Sequence, residues 1–220
     1  METIQSQAVA DELGSSTRIF YDDIARLYDL TFKVNRYGRS IENYLRAHPL
    51  PLPPDARILD AGCGTGLLTL SLLRVLKRPA RITALDLSAS SLVAARRGLR
   101  ETISNKRHQV EFTQANVLAL PFADGSFDLV VTSGALEYVP LEAGMQELAR
   151  VLRPGGYLIH LPVRPSLAST VLEWMFHFKS HPPHKVTETT TCYFHILSHY
   201  RFPPLDPIGW TKTTVLAQKQ

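Results

Sequence analysis

The sequence predicts an α/β fold, a mostly parallel sheet covered by helices, and three observations carry that prediction. Short apolar runs of strand length alternate with helix-periodic runs from Arg57 to Leu161. Those short runs are apolar at nearly every residue instead of every second one, as in strands buried on both faces. The first of them leads into a glycine-rich turn that opens a helix, where α/β sheets hold nucleotides beyond their carboxyl edge.

Residues 1–18 are polar and read as a flexible tail. Ile19, Phe20, Ile24, Leu27, Tyr28 and Leu30 then recur at helical intervals, and a second short helix is expected over Gly38–Ala47. It stops before His48-Pro49 and the proline-rich stretch to Pro54, because proline blocks continuation of a helix. Residues 19–54 are therefore read as an N-terminal helical lid and linker, and 55–220 as the main domain.

Strands are expected at 57–61, 81–86, 110–114, 127–132 and 157–161, with helices at 67–76, 89–101 and 141–152. Beyond Pro162 an apolar-rich helix is read over Leu167–Phe178, and His181-Pro182-Pro183-His184 as a break. Runs at Cys192–Leu197 and Trp210–Leu216 bring the count to seven strands, the last two forming an antiparallel closing pair. The segment of about 163–205 is the variable part and is expected to shape a substrate site.

Composition narrows the function classes. A chain of 220 residues with 45% hydrophobic content can bury one full core. The formal charge of +4 is dispersed along the chain, so nucleic acid is not expected as a partner. Cys63 and Cys192 are too far apart in sequence for a disulfide framework or a zinc thiol pair, which suits a cytoplasmic protein. The start of the chain lacks the basic-then-apolar pattern of a signal peptide, and no run reaches the ~18 apolar residues of a membrane span. Contact with a membrane from one side stays open, as does the oligomeric state. His177, His181, His184, His195 and His199 show no regular pattern with carboxylates or thiols, and no metal is predicted.

The turn Gly62-Cys63-Gly64-Thr65-Gly66 follows the strand that ends at Asp60-Ala61. Its glycines allow sharp turning and close approach of a ligand, and the helix start near Gly66 offers free N–H groups to an anionic group such as a carboxylate. A dinucleotide fingerprint needs G-x-G-x-x-G, and Leu67 stands where its third glycine would be. Asp60 would repel a pyrophosphate but suits a ligand with ammonium and sulfonium charges, so the pattern favours S-adenosylmethionine. The next strand ends in Asp86-Leu87, about 20 residues on, where a carboxylate can accept both ribose hydroxyls. Asn116, followed by Val117 after the third strand, could accept a hydrogen bond from an adenine amino group.

With these motifs in place the sequence resembles the class I methyltransferases, in particular the group that includes the ubiquinone and menaquinone C-methyltransferases. The likeness extends to Tyr21–Asp29, Leu120–Asp128 and Arg150–Gly156, in the family's order. It implies a Rossmann-like, seven-stranded, mostly parallel sheet with helices on both faces and an antiparallel C-terminal strand. It further implies that Asp60, Ala61, Gly62, Cys63, Gly64 and Gly66 hold the methionine part, Asp86 and Leu87 the ribose and adenine, and Asn116 and Val117 the adenine edge. Thr132 and Ser133 would lie under the methionine, and Tyr21 and Tyr28 would belong to a lid over the cofactor. The family commonly has Asp where Asn116 stands, and its characteristic C-terminal segment is not found after Pro162, so the acceptor is not inherited.

Methyl transfer is an in-line displacement that needs alignment and a dry site more than a dedicated catalytic group. Where the acceptor must lose a proton, Glu137, Tyr138, His160 and His195 are the candidate bases. The apolar segment from Leu167 to Phe178 could roof a pocket, which points to a small, apolar or lipid-like acceptor. Two alternatives stay open: methylation of RNA or protein, and a cofactor-binding relative without catalysis.

Overall fold

The computed structural model describes residues 37–103 and 107–220. The helix expected over 19–30, with Tyr21 and Tyr28, lies outside the described residues. Seven strands form one sheet: β1 (Ala56–Ala61), β2 (Ala80–Asp86), β3 (Gln109–Gln114), β4 (Phe127–Ser133), β5 (Leu152–Leu161), β6 (Phe194–Arg201) and β7 (Thr213–Lys219). Among the described residues six α-helices accompany them: α1 (Tyr37–Ala47), α2 (Leu67–Val75), α3 (Ala89–Ile103), α4 (Leu141–Val151), α5 (Leu167–Phe176) and α6 (Pro183–Thr191).

The strand order is β3-β2-β1-β4-β5-β7-β6. The first five strands are parallel, and β7 lies antiparallel to both of its neighbours, β5 and β6. The chain builds outward from β1 to β3 and then returns to place β4 on the other side of β1. That reversal opens a crevice at the carboxyl ends of β1 and β4, the natural ligand position of an open α/β sheet.

Alternation along the strands sends side chains to two cores. Ile58, Ile82, Leu129, Val131, Ile159 and Leu161 meet α1, α2 and Leu99 of α3 on one face. Leu59, Ala61, Leu85, Val130 and Leu158 meet Leu141, Met145 and Leu148 of α4 and Val186 of α6 on the other. Helix α1 buries Tyr37, Ile41, Tyr44 and Leu45 in the first of these cores, and its Tyr37 hydroxyl meets Thr211 Oγ1 at 2.5 Å.

Two of the motif stretches support one another. Arg150 of α4 donates to the carbonyls of Leu120 and Phe122 and to the carboxylates of Glu147 and Asp124, at 2.8–2.9 Å. The loop that leads into β4 is thereby clamped onto α4.

The C-terminal third departs from expectation in three places. Helix α6 occupies residues read as a break and a gap, because its Thr-rich sequence has little helical propensity and forms through burial of Val186, Thr189 and Thr190. Strand β5 begins at Leu152, not Tyr157, running through a bulge in which Gly155 has φ +72°. Strands β6 and β7 start two or three residues later than their apolar runs, and β7 is inserted between β5 and β6.

Candidate functional site

The glycine turn leaves β1 with Gly62, Gly64 and Gly66 all at positive φ, between +53° and +87°. Gly62 is constrained twice, since a Cβ there would lie 2.2 Å from the Ala135 Cβ. At Gly64 an added Cβ would meet nothing within 4 Å, so the backbone faces open space there. The N–H groups of Gly62 and Cys63 both donate to the Leu85 carbonyl at 2.8 Å, tying the turn to β2. Cys63 is buried, and burial with the nearby Asp60 and Asp86 raises its thiol pKa; its Sγ contacts the Gly64 carbonyl.

Asp60 closes β1 and is almost wholly buried. Its Oδ2 accepts a 2.5 Å hydrogen bond from the Thr69 hydroxyl in α2, while Oδ1 has no partner among the described residues. Burial pushes its pKa up to about 7, the Thr69 hydrogen bonds restraining the rise. An orphaned buried carboxylate oxygen beside the start of a helix is completed by a ligand that brings an ammonium group. The zwitterionic end of an amino acid has that group and a carboxylate for the helix N–H groups.

Asp86 closes β2, one strand away. Its Oδ2 accepts from the Gly64 N–H at 2.8 Å and its Oδ1 from the Ser88 N–H at 2.9 Å. Burial raises its pKa and these amides oppose the rise. Each oxygen keeps a lone pair for a further donor such as a ribose hydroxyl. Leu87, beside it, is exposed, as an adenine platform requires.

Asn116 is exposed, and its Oδ1 accepts from the Leu118 N–H at 2.9 Å in a strand-end turn, with Val117 buried beneath. Thr132 is buried, and its hydroxyl donates to the Ala61 carbonyl at 2.8 Å, joining β4 to β1 beneath the turn; Ser133 follows, half-buried. The fold thus gathers residues 60–66, 86–87, 116–117 and 132–133 at the carboxyl ends of adjacent strands.

The candidate bases separate. Glu137 and Tyr138 sit in a 3₁₀ turn, Leu136–Tyr138, directly after Ala135, which packs on Gly62. His160 lies near the end of β5, opposite Thr132, fully buried. Burial, with the positive charge of Lys212 and with His181, pulls the His160 pKa down to about 3, so the ring is neutral. His195 is exposed and pairs with Gln218, which in turn faces Tyr157 in the middle of β5. That places it at the far edge of the sheet, away from the other three.

The expected apolar roof also divides. Phe176 and Phe178 turn inward with Leu172 to pack on Val163 and Tyr138. Leu167, Val171, Trp174 and Met175 face outward and exposed. Sequence reasoning missed Thr69, Ala135 and Lys212, none of which stands in a motif. Among the described residues no group of His, Cys, Asp and Glu could hold a metal ion, and no helix is long and apolar enough to cross a membrane.

The chain is similar to known methyltransferases. A methyltransferase-domain family model matches residues 58–156. A demethylmenaquinone methyltransferase of Desulfitobacterium hafniense is 33% identical over 64% of this chain and 56% of its own length. One of Lactiplantibacillus plantarum is 32% identical over 71% of this chain and 67% of its own. The chain thus spans little more than half of the first relative and two thirds of the second. The geranyl diphosphate C-methyltransferase of Streptomyces coelicolor A3(2), solved with S-adenosyl-L-homocysteine, superposes with a TM-score of 0.68 at 18% identity, covering 81% of this chain and 75% of that one.

Proposed function

The chain belongs to the class I methyltransferase family that includes the demethylmenaquinone methyltransferases, and from that premise we propose that it binds S-adenosylmethionine and methylates a small, apolar or lipid-like acceptor. The observation that carries the cofactor assignment is Asp60: a buried carboxylate with one unpartnered oxygen, set beside a helix start and an open glycine turn. Asp60 and the turn would hold the methionine end, Asp86 the ribose, and Leu87, Asn116 and Val117 the adenine. Bound there, the cofactor supplies an electrophilic methyl group on a sulfonium.

The residues of this chain orient and exclude water. Thr132 fixes the floor between β1 and β4, and Ala135 locks the turn from above. The inward cluster of Val163, Leu172, Phe176 and Phe178 supports an apolar acceptor, in keeping with quinone- and geranyl-directed relatives.

Purified protein incubated with methyl-labelled S-adenosylmethionine and a cell extract tests this reading. Label is expected in the organic-extractable small-molecule fraction. Label in RNA or protein instead would replace the acceptor assignment, and no label in any fraction would count against catalysis.

A further inference from the structure

Three ionisable side chains converge under the apolar cluster, beside the glycine turn. Glu137, His160 and Lys212 come from separate segments, and each is less than a tenth exposed. They are linked through backbone. Glu137 Oε1 accepts from the Val163 N–H, Val163 pairs with Lys212 in an antiparallel bridge, and Lys212 Nζ donates to the Leu161 carbonyl at 3.4 Å. His181 adjoins the group, bonded through Nε2 to the Leu136 carbonyl at 3.0 Å and acting electrostatically on His160.

Within this group Glu137 Oε2 and both ring nitrogens of His160 have no partner among the described residues. Lys212 has three N–H donors and a single long bond. Buried polar atoms are nearly always partnered, so such a concentration marks a place where a ligand completes the bonding. Glu137 stands two residues from the Ala135 that packs on Gly62, so the group adjoins the turn proposed for the cofactor.

The donor set limits the ligand chemically. A phosphate or carboxylate ionised in water arrives with no hydrogen to give Glu137 Oε2, and an amine would confront Lys212. A hydroxyl meets both needs, giving its hydrogen to Glu137 Oε2 and taking one from Lys212 Nζ. An ionisable hydroxyl gains more, because a developing oxyanion would find an ammonium otherwise buried at a cost. Burial lowers the Lys212 pKa, and the neighbouring Glu137 opposes that shift. Tyr138 and Phe178, with ring centroids 5.5 Å apart, supply the apolar wall.

We propose that Lys212, Glu137 and His160 form the subsite that holds the acceptor's ionisable hydroxyl, of the phenol or enol class. The inference rests on the methyltransferase reading of the site.

The test uses the full chain and 4-nitrophenol, whose phenolate absorbs visible light, with S-adenosylmethionine affinity measured separately by calorimetry. The bound probe should ionise about one pH unit lower than the free one, a tenfold preference for phenolate over phenol. Lys212→Met should abolish the shift, and Lys212→Arg should retain it. Glu137→Gln, which keeps an oxygen for the Val163 N–H, should deepen the shift by removing the opposing charge. Opposite movement in two variants that bind S-adenosylmethionine like the wild type separates a charge effect from general damage, and Lys212→Arg with Glu137→Gln still decide if Lys212→Met fails to fold. A wild type that binds the cofactor but leaves the probe unshifted, or variants that move the shift in the same direction, would overturn the subsite. Loss of cofactor binding with the phenolate shift intact would instead strike the methyltransferase reading alone.

Discussion

Replacing Asp60 by asparagine should stabilise the cofactor-free protein while destroying the cofactor site. Burial raises the Asp60 pKa from 3.8 to about 7. At pH 8 the buried ionised carboxylate therefore destabilises the cofactor-free fold by ~4 kcal/mol, about three pKa units converted at 1.36 each. The amide of Asp60→Asn removes that charge and keeps an oxygen for the Thr69 hydroxyl. Its NH₂ stands where Oδ1 has no partner, which costs back ~1–3 kcal/mol. The net gain is ~1–3 kcal/mol, a rise in Tm of roughly 2–10 °C for a domain of this size. Because the pKa is raised in the fold, the folded state binds more protons than the unfolded one between 3.8 and about 7. Wild-type stability from this group therefore falls as pH rises through that window, and the advantage of the variant narrows from pH 8 to pH 5. Thermal unfolding of both ligand-free proteins at the two pH values measures it. A variant less stable than wild type at pH 8, or an advantage that does not shrink at pH 5, would refute the argument that a strained charge is held ready for a ligand.

The same titration governs binding: S-adenosylmethionine affinity should rise with pH through about 7, where Asp60 ionises, and level off above, as calorimetry at a series of pH values would show. Gly62→Ala places a methyl 2.2 Å from the Ala135 Cβ at φ +74°, so it should lower Tm and weaken cofactor binding together. Arg150→Ala removes the clamp on the Leu120 and Phe122 carbonyls and should cost about 2 kcal/mol in urea unfolding. Its cofactor affinity should be unchanged, since the clamp lies outside the turn.

The proposed cofactor half of the site is legible because its signals are local. A strand, a glycine turn and a helix start are contiguous in residues 58–67, and Asp60 and Asp86 fall at strand ends that apolar runs mark. The group proposed for the acceptor is not, because it is assembled by tertiary contact. Lys212 stands among threonines with no pattern to distinguish it from a surface lysine, and it is buried only because β7 enters the sheet between β5 and β6. His160 and His195 look alike in sequence, each in an apolar run. Only the antiparallel register of β7 separates a histidine at the site from one at the opposite edge. Strand β5 was expected only from Tyr157, because the Pro154-Gly155-Gly156 stretch before it breaks the apolar run that marks a strand, and a bulge carries it.

The most direct measurement is calorimetric titration of the purified chain with S-adenosylmethionine, with NAD as the control and Asp60→Ala and Asp86→Ala beside the wild type. Saturable binding of S-adenosylmethionine but not NAD, weakened at least tenfold in both variants, is the predicted result. Preference for NAD, or binding that neither variant disturbs, would contradict the assignment of the glycine turn and its two carboxylates to this cofactor.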